Sequence, residues 1–145
     1  LGFFLQANGA SSNLAWSQTL AAELIGADNT VSGVNFKDVG VITSALGNTA
    51  GGTVTCNMNN GNSFTATVTG GASTIAFSNF TGADEYQACA LTLTNGGSQT
   101  ITWTAVDWEG GTAPTLTAAG VDLLGFYSID AGTTVHGVVV STDSK

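Results

Sequence analysis

From residue 53 onward the chain alternates apolar-and-threonine runs with glycine and asparagine clusters. The runs are TVTCNMNN (53–60), SFTATVTG (63–70), STIAFSNF (73–80), YQACALTLTN (86–95), QTITWTAV (99–106), APTLTA (113–118), VDLLGFYSID (121–130) and TVHGVVVST (134–142). Threonine, valine, isoleucine and aromatic side chains suit a pleated, half-buried surface, and the intervening Gly and Asn supply the positive φ of tight turns. Within the runs the period is two. Phe64, Ala66 and Val68 share one face, as do Ile75 and Phe77, then Cys89, Leu91 and Leu93. Ile101 and Trp103 continue it, with Thr100, Thr102 and Thr104 opposite. Alternation of this kind predicts a sheet with one wet face. From Val121 to Ile129, and again from Val135 to Val140, both faces are apolar, which places those strands in the middle of a sheet or against another subunit. The fold predicted is all-β: an antiparallel β-sandwich, jelly-roll-like, of about eight strands over 51–145.

Residues 1–50 follow a different pattern. SQTLAAELIG (17–26) predicts a short helix with Ser17 or Thr19 as N-cap and Gly26 as its stop, and a second helical or strand piece runs over 39–46. The span is read as an extended, intertwined stalk or anchor segment. Phe3, Phe4, Leu5 and Trp16 are its apolar contacts, which an oligomer would cover.

Composition narrows the function. Hydrophobic residues make up 43% of the 145 and charged residues only 8%, about a third of the usual share. The surface is therefore one of hydroxyls and amides. Lys37 and Lys145 are the only strong bases against ten Asp and Glu, a formal charge of −8. Phosphate binding needs cations to displace counterions, so nucleic acid and anionic membrane surfaces are excluded as partners. No apolar run is long enough to insert into a membrane. LGFFL lacks the length and basic flank of a signal peptide, and the chain reads as a fragment or a mature product. Cys56 and Cys89 do not make a zinc pattern; a disulfide and two buried free thiols both fit them.

Candidate chemistry concentrates in VDWEGGTAPTLTAAGVDLLGFYSIDAGTTVHG (106–137), with the only Pro and the only His. A hydrolytic triad would need a nucleophile and a carboxylate beside His136, and no G-x-S-x-G elbow is present. His136 sits in a valine-rich run and reads as a strand histidine. Asp107 and Glu109 flank Trp108, as a glycosidase pair or a sugar-stacking site would, but read as a polar loop before Gly110 and Gly111. Asp130, Ala131 and Gly132 read as a hairpin turn. Trp103, Trp108, Phe126 and Tyr127 would serve as a carbohydrate platform or as packing. No D-x-D-x-D-G loop or phosphate-binding glycine motif occurs. No catalytic residue, metal or cofactor is assigned.

The stretch LTLTNGGSQTITWTAVDWEGGTAPTLTAAGVDLLGFYSIDAGTTVHG resembles the C-terminal region of bacteriophage virion proteins of the tail-fibre or minor structural type. The elements that carry it are Ile101, Thr102 and Trp103, the 110–117 hairpin, the 121–127 strand, the 130–134 turn and 135–137. FLQANGASSNLAWS and TLAAELIGADNTVSG are similar to linkers and short repeats of such fibres. The resemblance implies a homotrimer on the virion surface, assembled in the bacterial cytoplasm with other virion proteins. It implies no catalytic residue. The function expected is non-covalent attachment to a host-surface glycan through turn loops, with Asn59, Asn60, Asp84, Trp108 and Glu109 as receptor-binding residues. Two alternatives stand beside it: a capsid decoration, cement or head-fibre protein that stabilises the shell, and, more remotely, a glycan depolymerase.

Overall fold

The computed structural model describes residues 39–144, which belong to one compact unit, Asp38–Lys145. The helix predicted over 17–26 and the apolar residues Phe3, Phe4, Leu5 and Trp16 lie outside the described residues. Nine strands form: β1 (Thr43–Thr49), β2 (Gly52–Asn57), β3 (Ser63–Val68), β4 (Ser73–Ser78), β5 (Ala83–Thr94), β6 (Ile101–Trp103), β7 (Val106–Trp108), β8 (Val121–Asp130) and β9 (Val135–Ser144). They make two sheets, β1-β3-β5-β8-β9-β7 and β2-β4-β6.

The all-β prediction holds, but the antiparallel one does not. The smaller sheet is wholly parallel, and in the larger only β5–β8 and β8–β9 run antiparallel. Through β6 the chain visits the two sheets alternately, so each pair of strands is one turn of a stack of three coils. β1 pairs with β3 in parallel, Thr43 against Ser63, and β3 with β5, Ser63 against Ala90. The clusters between β1 and β6, read as tight turns of antiparallel strands, are corners that carry the chain across to the other sheet. Two glycines show why. Gly71 has φ +66°, and a Cβ there would lie 2.3 Å from the Ala50 carbonyl oxygen; Gly61, at φ +138°, would meet the Ile42 oxygen as closely. Each corner thus rests directly on the backbone of the preceding coil, an approach that only glycine permits.

Three further boundaries differ from expectation. β1 lies inside the span assigned to the N-terminal segment, and pairs along β3. The run 99–106 is cut at Ala105, whose φ of 55° turns the chain out of β6 and into β7. Asp107 therefore sits in a strand rather than a loop. The run 113–118 forms no strand.

The core lies between the sheets. Phe64, Ala66 and Val68 of β3, Cys89, Leu91 and Leu93 of β5, Leu124 and Phe126 of β8, and Cys56 and Ile75 of the smaller sheet are buried together, as the period-two reading requires. Each large side chain buried contributes about 1.5–3 kcal/mol. Trp103, Trp108 and Phe126 close one end of it, with centroids 5.1–5.6 Å apart and the Trp pair edge-to-face at 74°. Trp108 lies flat over Gly137, where a Cβ would stand 2.8 Å from its ring.

β8 is central in the larger sheet, as its two apolar faces predict. Its start is pinned by Asp122, wholly buried: one carboxylate oxygen accepts from the Thr117 backbone N–H (2.7 Å), and the other from the Thr117 hydroxyl (2.6 Å) and the Asp143 N–H (3.2 Å). Its far end is the expected hairpin turn, with the Thr134 N–H donating to Asp130 and the Gly132 N–H to Ser128 Oγ.

Candidate functional site

The outer face of the larger sheet has two characters. Across β3 and β5 it is a smooth array of hydroxyls, Thr65 beside Thr92 and Thr67 beside Thr94. Across β5, β8, β9 and β7 it carries a row of aromatic and acidic side chains. Phe126 and Ser128, and Val135 and Gly137, are buried, so the residues between them, Tyr127 and His136, point outward. The strand register sets Tyr127 opposite His136 and His136 opposite Asp107.

Tyr86 completes the row through a bulge. Four steps along β5, from Ala83 to Gln87, are matched by two along β8, from Asp130 to Ser128, with Asp84 at φ 68°. Bulges re-aim side chains in this way beside functional sites. Here the bulge lies where β5 outruns β3, and it leaves Tyr86 68% exposed. Its ring lies 5.3 Å from that of Tyr127 at 30°, and Tyr127 lies 4.8 Å from His136 at 26°. These separations match the spacing of neighbouring strands. The rings therefore stand side by side with their faces toward one another, leaving two ring faces free at the ends of the stack. Tyr86 presents one of them. His136 presents the other, toward Asp107.

Beyond the His136 face is a shallow recess of about 300 Å³ lined by Asp107, Glu109, Tyr127, His136 and Val138. A neighbouring recess of about 260 Å³ shares Trp108, Glu109 and Val138 and is closed by Pro114. The Trp108 side chain lines both, and its Nε1–H is buried with no acceptor among the described residues. No side chain of Tyr86, Tyr127, His136, Asp107 or Glu109 makes a hydrogen bond or ion pair with a described residue, so two hydroxyls, an imidazole and two carboxylates are all available to a ligand. Aromatic faces take the C–H faces of sugars, and carboxylates with hydroxyl and imidazole groups take their hydroxyls.

The residues singled out from sequence do not come together as one site. Trp108 and Glu109 lie at the aromatic row, although the Trp108 ring is turned inward against Phe126. Asn59 and Asn60 occupy a short 3₁₀ turn at the corner between β2 and β3, and Asp84 lies near the next corner. The two corners are tied by the Asn79 amide donating to Asn57 Oδ1 (2.9 Å). Four strand-to-strand spacings separate β3 from β7, on the order of 19 Å. Of the four aromatics considered as a platform, Trp103, Trp108 and Phe126 pack inward, and Tyr127 alone joins the outer row. Sequence reading missed Tyr86 and gave His136 no ligand role. The hairpin was the available signal: a DAGTT turn fixes Tyr127 opposite His136.

Cys56 and Cys89 are buried free thiols. Burial pushes both up to about 12, with the neighbouring Cys89 adding to the shift at Cys56. They are protonated at neutral pH and offer neither a nucleophile nor a metal ligand. Among the described residues no three His, Cys, Asp or Glu converge as a metal site. No family model, no curated protein and no solved structure matches the chain.

Proposed function

We propose that this chain is a non-catalytic domain of a bacteriophage virion surface protein, of the tail-fibre type, that attaches the particle to a host-surface glycan. The observation that carries the reading is the outer row Tyr86–Tyr127–His136–Asp107, with ring faces and polar groups that the protein itself does not use. A low-charge, hydroxyl-rich surface over a parallel coil stack supports it, since such packing persists by slow unfolding outside a cell. In this reading the two sheets are the layers of a sandwich in a homotrimer, and Val41 and Ile42, 62% and 72% exposed, supply apolar surface between subunits.

The test is competition. The full chain, added in excess, is expected to block phage adsorption to a permissive host, and Tyr127→Ala and His136→Ala variants with unchanged thermal unfolding are expected to lose the block. Absence of competition on every permissive host sinks the proposal. A mass from light scattering equal to one chain removes the trimer.

A further inference from the structure

The recess beyond His136 has a charge character that narrows its ligand. Asp107 and Glu109 line it, and neither is paired. Among the described residues, 39–144, there is no Lys or Arg to neutralise them. The free His136 face and the edge of the Tyr127 ring wall the same space and give it a flat surface for a sugar ring. Val138, 46% exposed, gives the recess an apolar floor suited to a sugar ring. With −8 formal charges on the chain, an anionic glycan is repelled on approach and meets two carboxylates on arrival.

We infer that this recess selects a glycan bearing free amino groups, a hexosamine whose nitrogen is not acetylated, over neutral and anionic glycans. The inference rests on the glycan-binding reading and sharpens it. The sugar ring lies against the His136 face and Val138, and its ammonium is held by Asp107 and Glu109. Acetylation removes the charge and two of the three ammonium N–H donors, leaving one neutral donor for two carboxylates. A uronic acid in the same place sets like charges against each other.

The experiment is calorimetric titration of the full chain, at neutral pH and low salt, with three probes: a glucosamine oligomer, its N-acetylated counterpart and a galacturonic acid oligomer. The amine-bearing oligomer is expected to bind about five- to tenfold more tightly than the acetylated one, from two exposed carboxylate contacts. The advantage is expected to shrink in high salt, which screens exposed pairs. Asp107→Asn combined with Glu109→Gln is expected to abolish the preference by weakening the amine-bearing oligomer several-fold more than the acetylated one, and His136→Ala to weaken both. Equal affinities, preference for the acetylated or anionic probe, or no binding of any probe overturns the inference. Adsorption competition decides the attachment reading separately: a chain that still competes while showing no amine preference keeps that reading and loses this one.

Discussion

The coil stack β1–β6 and the C-terminal part β7–β9 are built on different principles. In the stack, strands pair in parallel, corners rest on glycine, and the interior is apolar except for a buried Thr49–Ser73 hydroxyl pair (2.9 Å). Its only acidic residues are Asp84 and Glu85, both on the overhang of β5. In the C-terminal part an antiparallel hairpin is pinned by the carboxylates Asp122 and Asp130, and Asp107, Glu109 and Asp143 are added around it. The stack is held by shape and the hairpin by charge-assisted hydrogen bonds. Function follows the same division. The stack offers a smooth hydroxyl face, whereas unspent rings and carboxylates gather where the antiparallel strands widen the sheet.

A single added methyl group tests this contrast. Gly71→Ala places a Cβ at positive φ and 2.3 Å from a backbone oxygen of the preceding coil, which cannot yield without separating the coils. It is expected to cost about 3–5 kcal/mol in urea unfolding. Gly137→Ala meets the Trp108 ring at 2.8 Å, a side chain that can shift, and is expected to cost about 1–2 kcal/mol. Equal losses would erase the distinction between backbone-on-backbone and side-chain packing.

Alkali probes the core that the two parts share. Both thiols are raised to about 12 from 9.0, chiefly by burial. The folded state therefore holds protons that the unfolded chain gives up above pH 9.0, and stability declines from there toward pH 12. At about 1.4 kcal/mol per unit, the loss by the upper end of that window is on the order of 4 kcal/mol for each thiol. Urea midpoints across the window are expected to fall, and Cys56→Ala/Cys89→Ala to flatten the decline from a lower starting value. A native chain whose thiols react as fast as those in urea would contradict the burial.

Next in size is the pin of β8. Asp122→Ala removes the buried acceptor of three part-buried donors, the Thr117 N–H and hydroxyl and the Asp143 N–H, and is expected to cost about 2–3 kcal/mol. Hydrogen exchange is expected to rise along β8 and β9 and not along β2 and β4. A uniform rise would mean that the two parts unfold as one unit.

Period-two alternation was enough to assign the inner face of β3, β4 and β5, because burial on one side leaves the same trace in parallel and antiparallel sheets. It could not give strand direction. A corner such as Gly70-Gly71-Ala72 has the residues of a hairpin turn, and only the Gly71 contact with Ala50, a residue of the coil beneath, distinguishes the two. Residue Asp107 was read as loop for a related reason. β7 is three residues long, and its pairing with β9 is invisible without the fold. The candidate site was legible in part: Tyr127 opposite His136 follows from the hairpin, whereas Tyr86 reaches Tyr127 only through the bulge in β5.

The smallest effect expected is at the hairpin turn, where acid should separate the two parts. The Thr134 N–H, then the Ser128 hydroxyl, hold the Asp130 carboxyl below its ordinary value of 3.8. A depressed folded value means that the contribution is complete above pH 3.8 and is lost as pH falls below it. The carboxylate is open to solvent, so screening keeps the contribution small. Asp130→Asn is expected to lower the thermal midpoint slightly at neutral pH and to remove part of the acid decline. Residue-resolved exchange in acid is the sharper measurement. Protonation of Asp130 releases Thr134 at the mouth of the hairpin, so amides at 128–135 are expected to open first. Those of Phe64, Ile75 and Leu91, in coils whose corners make no hydrogen bond to a carboxylate, are expected to stay protected until global unfolding. If hairpin and coil amides lose protection at the same pH, the charge-pinned hairpin is no less tightly joined to the stack than the coils are to one another.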